Sequence, residues 1–375
     1  MSRVNVMQPW LGEEEIEAVG AVLRSGWVAQ GPRVAEFEER FAESQQAGYA
    51  VATSSCTTAL HLALVVAGIH RGDDVVVPSF SFVATANAAM YVGARPVFAD
   101  VDPVTGNLTA ESVMAAITPE TTAVIAVDQG GVPVDLEAIR GVCEPLGIVV
   151  VEDAACAAGS TYRGRPVAAG ADIAAWSFHP RKILTTGEGG MLTTSRREWA
   201  ERARRLREHA MSVSAAARHA SVLAPPEEYG EVGFNYRMTD LQAAVGIVQL
   251  RRLPEVVARR RELADVYRKA LEEIDGLRAV ADPAYGTSNF QSFWVEVERD
   301  YPLDREGLMA ALAAAEISAR RGIMAAHRQP PYRHLGAHLP ITDRLTDSTL
   351  ILPLFHQMSE SEQARVIDVL RENGR

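Results

Sequence analysis

Cysteine is scarce. Cys56, Cys143 and Cys156 are the only three in 375 residues, odd in number and far apart, which fits neither a disulfide framework nor a zinc cluster. They are read as reduced thiols, and no metal is expected. Long apolar runs are also missing, since no stretch reaches the roughly 18 residues that would cross a bilayer. The opening MSRVNVMQPW lacks the charged, apolar and small-residue succession of a secretory leader. A cytoplasmic protein with no membrane partner is the expectation. Basic excess is absent too: the formal net charge is −11, which argues against a nucleic-acid partner. Arginines at 202–207 and 259–261 alternate with Glu and apolar residues at helical spacing and read as solvated helix faces. Finally, no G-x-G-x-x-G opens a strand-to-helix turn, which removes a nicotinamide dehydrogenase from the α/β options.

What is present is a soluble, enzyme-sized composition, 47% hydrophobic and 23% charged, with 28 Gly and 19 Pro marking many turns. Short, near-continuous apolar runs at 74–78, 95–100, 123–127, 148–152, 173–177 and 190–194 alternate with helix-like stretches. Strands buried on both faces read this way, so the predicted fold is a three-layer α/β domain with a mainly parallel sheet between helices. After Asn235 the texture changes. Residues 239–252 and 254–273 read as two helices, the first capped by Thr239 or Asp240. A strand at 292–297 and a helix at 304–315 follow. The predicted division is a large α/β domain with an N-terminal arm over 1–250 and a smaller α+β domain over 251–375.

Three stretches carry candidate chemistry. In TSSCTTALHLAL (53–64) a polar cluster opens a helix, where unpaired amides and the positive dipole end can receive an anion at Thr57 and Thr58. Ordinary capping by Ser54 or Ser55 accounts for the same residues. VVEDAACAAGS (150–160) ends a strand with Glu152 and Asp153, which point to opposite faces, so only one can meet a ligand at the strand end. SFHPRKILTTGEGGM (177–191) places Lys182 between an apolar run and a glycine-rich turn. A lysine amine becomes a nucleophile when its surroundings lower its pKa, and its signature use is an imine to a carbonyl or to pyridoxal phosphate. His61, Cys56, Trp10 and Trp27 read as packing residues, the tryptophans also as dimer contacts.

In order, TSSCTTALHLAL, PSFSFVATANA (78–88), VVEDAACAAGS, SFHPRKILTTGEGGM and GFNYRMTDLQAAVG (233–246) resemble the DegT/DnrJ/EryC1/StrS family of pyridoxal-phosphate sugar aminotransferases. The resemblance runs from SGWVAQGP (25–32) to HRQPPY (327–332) and implies the type I fold of pyridoxal-phosphate transferases. It implies pyridoxal 5′-phosphate as cofactor, with pyridoxamine 5′-phosphate as the amino-carrying form. Lys182 matches the Schiff-base lysine and Asp153 the acid facing the pyridine nitrogen. Thr57, Thr58 and Ser177 match the phosphate cradle, and Phe82 the ring stacked on the cofactor. Asn235 matches a residue that reaches the neighbouring subunit's cofactor, which implies a homodimer with its sites at the interface. His327 falls where the family lines its sugar pocket, with Tyr332 nearby.

Two departures stand out. Cys156 sits where the family often has Gln or His against the cofactor's phenolic oxygen, and Asp128-Gln-Gly-Gly131 replaces a common His-Leu-aromatic-Gly. The expected reaction moves an amino group from L-glutamate or L-glutamine to a keto-sugar, here a nucleotide-linked keto-deoxysugar, with Arg237, Arg320 and Arg321 as candidates for its diphosphate. A keto-cyclitol aminotransferase, a dehydratase of the same family and a non-catalytic cofactor-binding regulator are the alternatives. The dehydratase replaces the lysine with histidine, and the regulator would be expected to lack Lys182 or Asp153.

Overall fold

The computed structural model describes residues 3–213 and 226–374. Its apolar runs become the strands of a seven-stranded sheet: β1 (Tyr49–Thr53), β2 (Asp74–Pro78), β3 (Arg95–Ala99), β4 (Thr121–Val127), β5 (Val149–Asp153), β8 (Ile173–Ser177) and β9 (Gly190–Thr194). Two short strands, β6 (Thr161–Tyr162) and β7 (Arg165–Pro166), interrupt the series and pair with β11 (Gly286–Thr287) in a small sheet. The order in the large sheet is β1-β9-β8-β5-β4-β2-β3. Strands β8, β5, β4, β2 and β3 run parallel, while β9 is antiparallel to both β8 and β1. Residues alternate across each strand, so Val124, Ala126 and Val150 enter one apolar core and Ala123, Ile125 and Val151 enter a second on the opposite face.

The mainly parallel three-layer expectation holds. β1 was not anticipated, because its YAVAT sequence is short, contains two alanines and has few β-branched residues. The two helices expected at 239–252 and 254–273 are one 32-residue helix, Asp240–Leu271, that runs through Pro254. Proline forgoes one backbone bond there, and the burial of Leu253, Val256 and Val257 in the core holds the helix continuous. Thr239 caps it, accepting a hydrogen bond from Gln242 N at 3.2 Å. Asp240 does a different job: its carboxylate accepts from the amides of Gly31, Arg33 and Val34 at 2.8–3.1 Å and so caps the preceding helix Pro32–Ser44.

A four-stranded antiparallel sheet, β10 (Leu277–Ala279), β12 (Phe293–Val297), β14 (Thr349–Leu352) and β13 (Arg320–Arg321), carries a third core. The division expected at 250/251 falls inside the long helix. Along it, Val257 still packs in a large-sheet core, whereas Leu263 and Ala264 belong to the small-sheet core. The chain crosses back afterwards, since Ala326, Tyr332, Leu339 and Leu345 pack against the large unit. The N-terminal arm reaches the small unit, where Val4 pairs with Ile317.

Candidate active site

The carboxyl ends of β5 and β8 open beside the start of the helix Cys56–Val66, and the small sheet faces them across a cavity of about 510 Å³. Parallel strands all release their chain at one edge, which is why residues far apart in sequence meet there. Cys56 and Thr57, Phe82, Asp153 and Cys156, Ser177 and Lys182 form one wall. Gln291 to Phe293, Arg320 to Met324 and Leu354 form the other, with Val6 and Met7 of the arm at its side.

The local folding of each piece follows from its sequence. Ser55 caps the helix, accepting from Thr58 N at 3.2 Å, and the Thr58 hydroxyl turns back to donate to the Ser55 carbonyl at 2.7 Å. Thr57 lines the cavity, while Thr58 belongs to the cap. Gly190, at the start of β9, lies against this turn so closely that a Cβ would meet the Ser55 carbonyl carbon at 2.3 Å. Glycine is required at that approach. Gly187, at φ 84°, makes the preceding reversal.

Lys182 Nζ has one close partner, the sulfur of Cys156 at 2.9 Å. Burial opposes its charge, but the sulfurs of Cys156 and Cys56 and the Asp153 carboxylate outweigh that and hold the amine above its ordinary value. The lowered pKa expected of a nucleophilic lysine is therefore not present in the chain by itself, since the groups that act on the amine are a carboxylate and two thiols. Lys182 and Lys269 are the only lysines in the sequence, a scarcity that was itself a usable signal, and Lys269 is exposed on the long helix.

Asp153 is buried, accepting from the Thr85 hydroxyl at 2.9 Å and the Ala155 amide at 3.2 Å. Burial raises its pKa against the pull of those donors and of Lys182. A carboxylate in this position gains from a further cationic N–H donor. Glu152, on the other face of β5, stays out of the cavity. Cys56, read from sequence as a packing residue, instead lines the cavity with its thiol 4.0 Å from Asp153 Oδ1, and burial pushes that thiol well above its usual range. Phe82 stands at the cavity with its side chain largely exposed.

Besides Thr58, four of the expected residues do not line this chain's cavity. Asn235 is exposed, and Arg237 lies near it in the same loop. His327 is buried between Ser79, whose Oγ is 2.6 Å from Nδ1, and Asp343, whose Oδ1 is 3.3 Å from Nε2. Tyr332 packs edge-on against Phe98 and hydrogen-bonds Asn87. Arg320 and Arg321 both line the cavity; Arg321 is held by Glu306 at 2.6–2.9 Å, while Arg320 has no carboxylate paired to it among the described residues. Sequence reasoning also missed Arg260, which is fully buried at the cavity's back and donates only to the carbonyls of Phe290, Gln291 and Leu354. Burial lowers its pKa to about 9. His61 and Trp10 are packing residues, the first bonded to Tyr236 at 3.0 Å and the second stacked on His356.

Comparison with known proteins adds a family to this geometry. The model of the DegT/DnrJ/EryC1/StrS aminotransferase family matches residues 9–371. The crystal structure of the aminotransferase TlmJ from Streptoalloteichus hindustanus is 40% identical, with a TM-score of 0.90 over 99% of this chain and 98% of that one. DesI, solved in the presence of its TDP-sugar product, is 32% identical, with a TM-score of 0.89 over 99% and 93%. A protein from Streptococcus pneumoniae described as a sugar aminotransferase, in its PMP form, is 27% identical, with a TM-score of 0.93 over 100% and 99%.

Proposed function

The chain belongs to the DegT/DnrJ/EryC1/StrS aminotransferase family, whose members use pyridoxal 5′-phosphate, and from that premise we propose that it aminates a nucleotide-linked keto-deoxysugar at the expense of L-glutamate or L-glutamine. The residues present fit the cofactor. A half-buried amine, a buried carboxylate in need of a cationic N–H, and a helix start pressed close by Gly190 are complementary to an aldehyde, a pyridine nitrogen and a phosphate. When bound, the cofactor supplies a ring that accepts the electrons of a substrate carbanion.

The remaining work falls to the chain. Lys182 Nζ would hold the cofactor through its carbonyl carbon and would serve as the base and acid that moves the proton on the substrate's α-carbon. Asp153 holds the proton on the ring nitrogen. Thr57, Ser177 and the amide end of the helix bind the phosphate, with Thr58 supporting them as part of the cap. Phe82 covers one face of the ring, and Cys156 lies beside the amine. Arg320, at the cavity wall with no ion pair among the described residues, is placed to bind an anionic group of the sugar substrate. Asn235 is exposed and away from this cavity, and Phe82, Met90, Tyr91 and Val232 are exposed apolar side chains. Both observations support a homodimer in which Asn235 serves the partner's site.

The observation that carries the reading is the half-buried Lys182 amine, bonded to Cys156 and sharing the cavity with Asp153 at the edge of the parallel sheet. It is tested by adding L-glutamate, then L-glutamine, to the cofactor-loaded protein and following its visible absorbance, then supplying a TDP-linked keto-sugar or a keto-cyclitol. Conversion by an amino donor and reversal by the keto-sugar support the proposal. Reversal by the cyclitol alone moves the substrate class, and no response to any donor rejects turnover.

A further inference from the structure

The second sequence departure, Asp128 to Gly131, creates a feature that amino-group transfer does not use. Ala126 is registered with Glu152 between β4 and β5, and Asp128 lies two residues farther along, so both carboxyls leave the same face of the sheet as diagonal neighbours. Asp128 is 0% and Glu152 2% exposed, and the two side chains are in hydrogen-bond contact. Yet Asp128 Oδ2 and Glu152 Oε2 have no donor from any other group among the described residues. Two ionised carboxylates can only accept, so both orphan oxygens are satisfied only if one proton lies between them.

We propose that Asp128 and Glu152 share one proton at neutral pH, donated by Asp128, and that this acid pair is a positioning device for the cavity wall formed by Gln129 and Gly130. The surroundings assign the proton. Glu152 faces Arg140 from the helix Leu136–Cys143 and the amide of Ala168, both of which favour its anion. Asp128 faces two carboxylates, Glu152 and Asp153, and Tyr285 lies near it from the loop before β11. Burial raises both groups, Glu152 to about 7 and Asp128 well beyond the usual carboxylate range.

The bonds of Asp128 turn that proton into position. Its Oδ1 accepts from Val134 N at 2.9 Å, closing the loop, and its own N–H donates to the Asp153 carbonyl at 3.1 Å, tying the loop to β5. Between these anchors Gln129 and Gly130 face the cavity. Loss of the shared proton places two buried negative charges together and drives the loop from the strand that carries Asp153. The shared proton is a property of the fold; its effect on Asp153 rests on the proposed function.

The test is pH-resolved infrared spectroscopy of the cofactor-loaded protein beside thermal unfolding, with Asp128→Asn and Glu152→Gln. The amide in either variant is a permanent donor to the remaining carboxylate. The expected result is a carboxylic-acid C=O band at neutral pH in the wild type that both variants lack. Because folding raises both pKa values, the stability is fully present at low pH; Glu152 releases its own proton through about 7, the proton on Asp128 leaves only at higher pH, and the wild-type Tm should fall progressively above neutral pH while the variants' Tm falls much less. A wild type with no acid band, or a band and Tm slope that persist in either variant, would overturn the proposal. The infrared reading needs no turnover, so a protein that shows the band but ignores every amino donor would sink the proposed function and leave the acid pair standing.

Discussion

The two walls of the cavity are built on different terms. The wall from the large sheet holds Asp153 at a strand end, Cys56 and Thr57 at a helix start, and Lys182 in the turn that follows β8. The wall from the small sheet mixes strand residues, Phe293, Arg320, Ile351 and Leu352, with Gln291, Ser292 and Gly322 to Met324 in connections. Lys182 and Asp153 sit on the first wall, and Arg320, with no ion pair among the described residues, sits on the second. We infer that the first wall sets the reaction and the second sets the substrate, as expected when binding residues are carried on loops over a fixed scaffold.

That contrast can be broken by substitution. Lys182→Ala should have the largest effect, a loss of roughly 10³-fold or more in kcat together with the cofactor's covalent attachment. Asp153→Asn keeps the volume and removes the charge, and should lower kcat roughly 100-fold while leaving KM for the sugar nearly unchanged. On the other wall, Arg320→Ala should raise KM for an anionic sugar about tenfold with kcat preserved, the loss of one charge-assisted contact worth about 1.4 kcal/mol. Arg321→Ala should do much less, because that guanidinium is already held by Glu306. If Arg320 and Arg321 behave alike, or if Arg320→Ala lowers kcat as Asp153→Asn does, the division between walls fails.

A smaller effect separates both walls from the buried segment behind them. His327→Ala removes the contacts to Ser79 and Asp343 and should cost about 1–3 kcal/mol of stability, read as a lower Tm with the cofactor still bound. Burial, aided by Arg328 and opposed by Asp343, lowers the His327 pKa from its ordinary 6.5. The unfolded chain then takes the proton more readily, so this residue's stability is present above 6.5 and lost as pH falls. Replacement by Gln should flatten that acid limb of the Tm profile. An unchanged limb would mean that His327 is not held neutral.

Legibility in the sequence followed the same line. Strand ends were readable, because apolar runs locate them to within a residue or two and parallel pairing gathers their carboxyl ends, so Lys182, Asp153 and Ser177 could be placed before the fold was seen. Side-chain direction in irregular segments was not readable. His327 lies in a short 3-10 turn and Tyr332 just before another, and nothing in HRQPPY says that the histidine turns to Ser79 or that the tyrosine turns to Asn87. Nor does spacing reveal that Pro254 is accommodated within one helix, or that Asp240 caps a helix more than 200 residues earlier in the chain. Those outcomes depend on packing between elements, which periodicity does not encode.

The central claim is that Lys182 carries the cofactor, and the chain's two lysines make the test direct. Borohydride reduction of the cofactor-loaded protein, followed by proteolysis and mass spectrometry, should place the cofactor's mass on the peptide containing Lys182 and leave the Lys269 peptide unmodified. Labelling of Lys269 alone, or of neither lysine in protein that has bound the cofactor, would contradict the account.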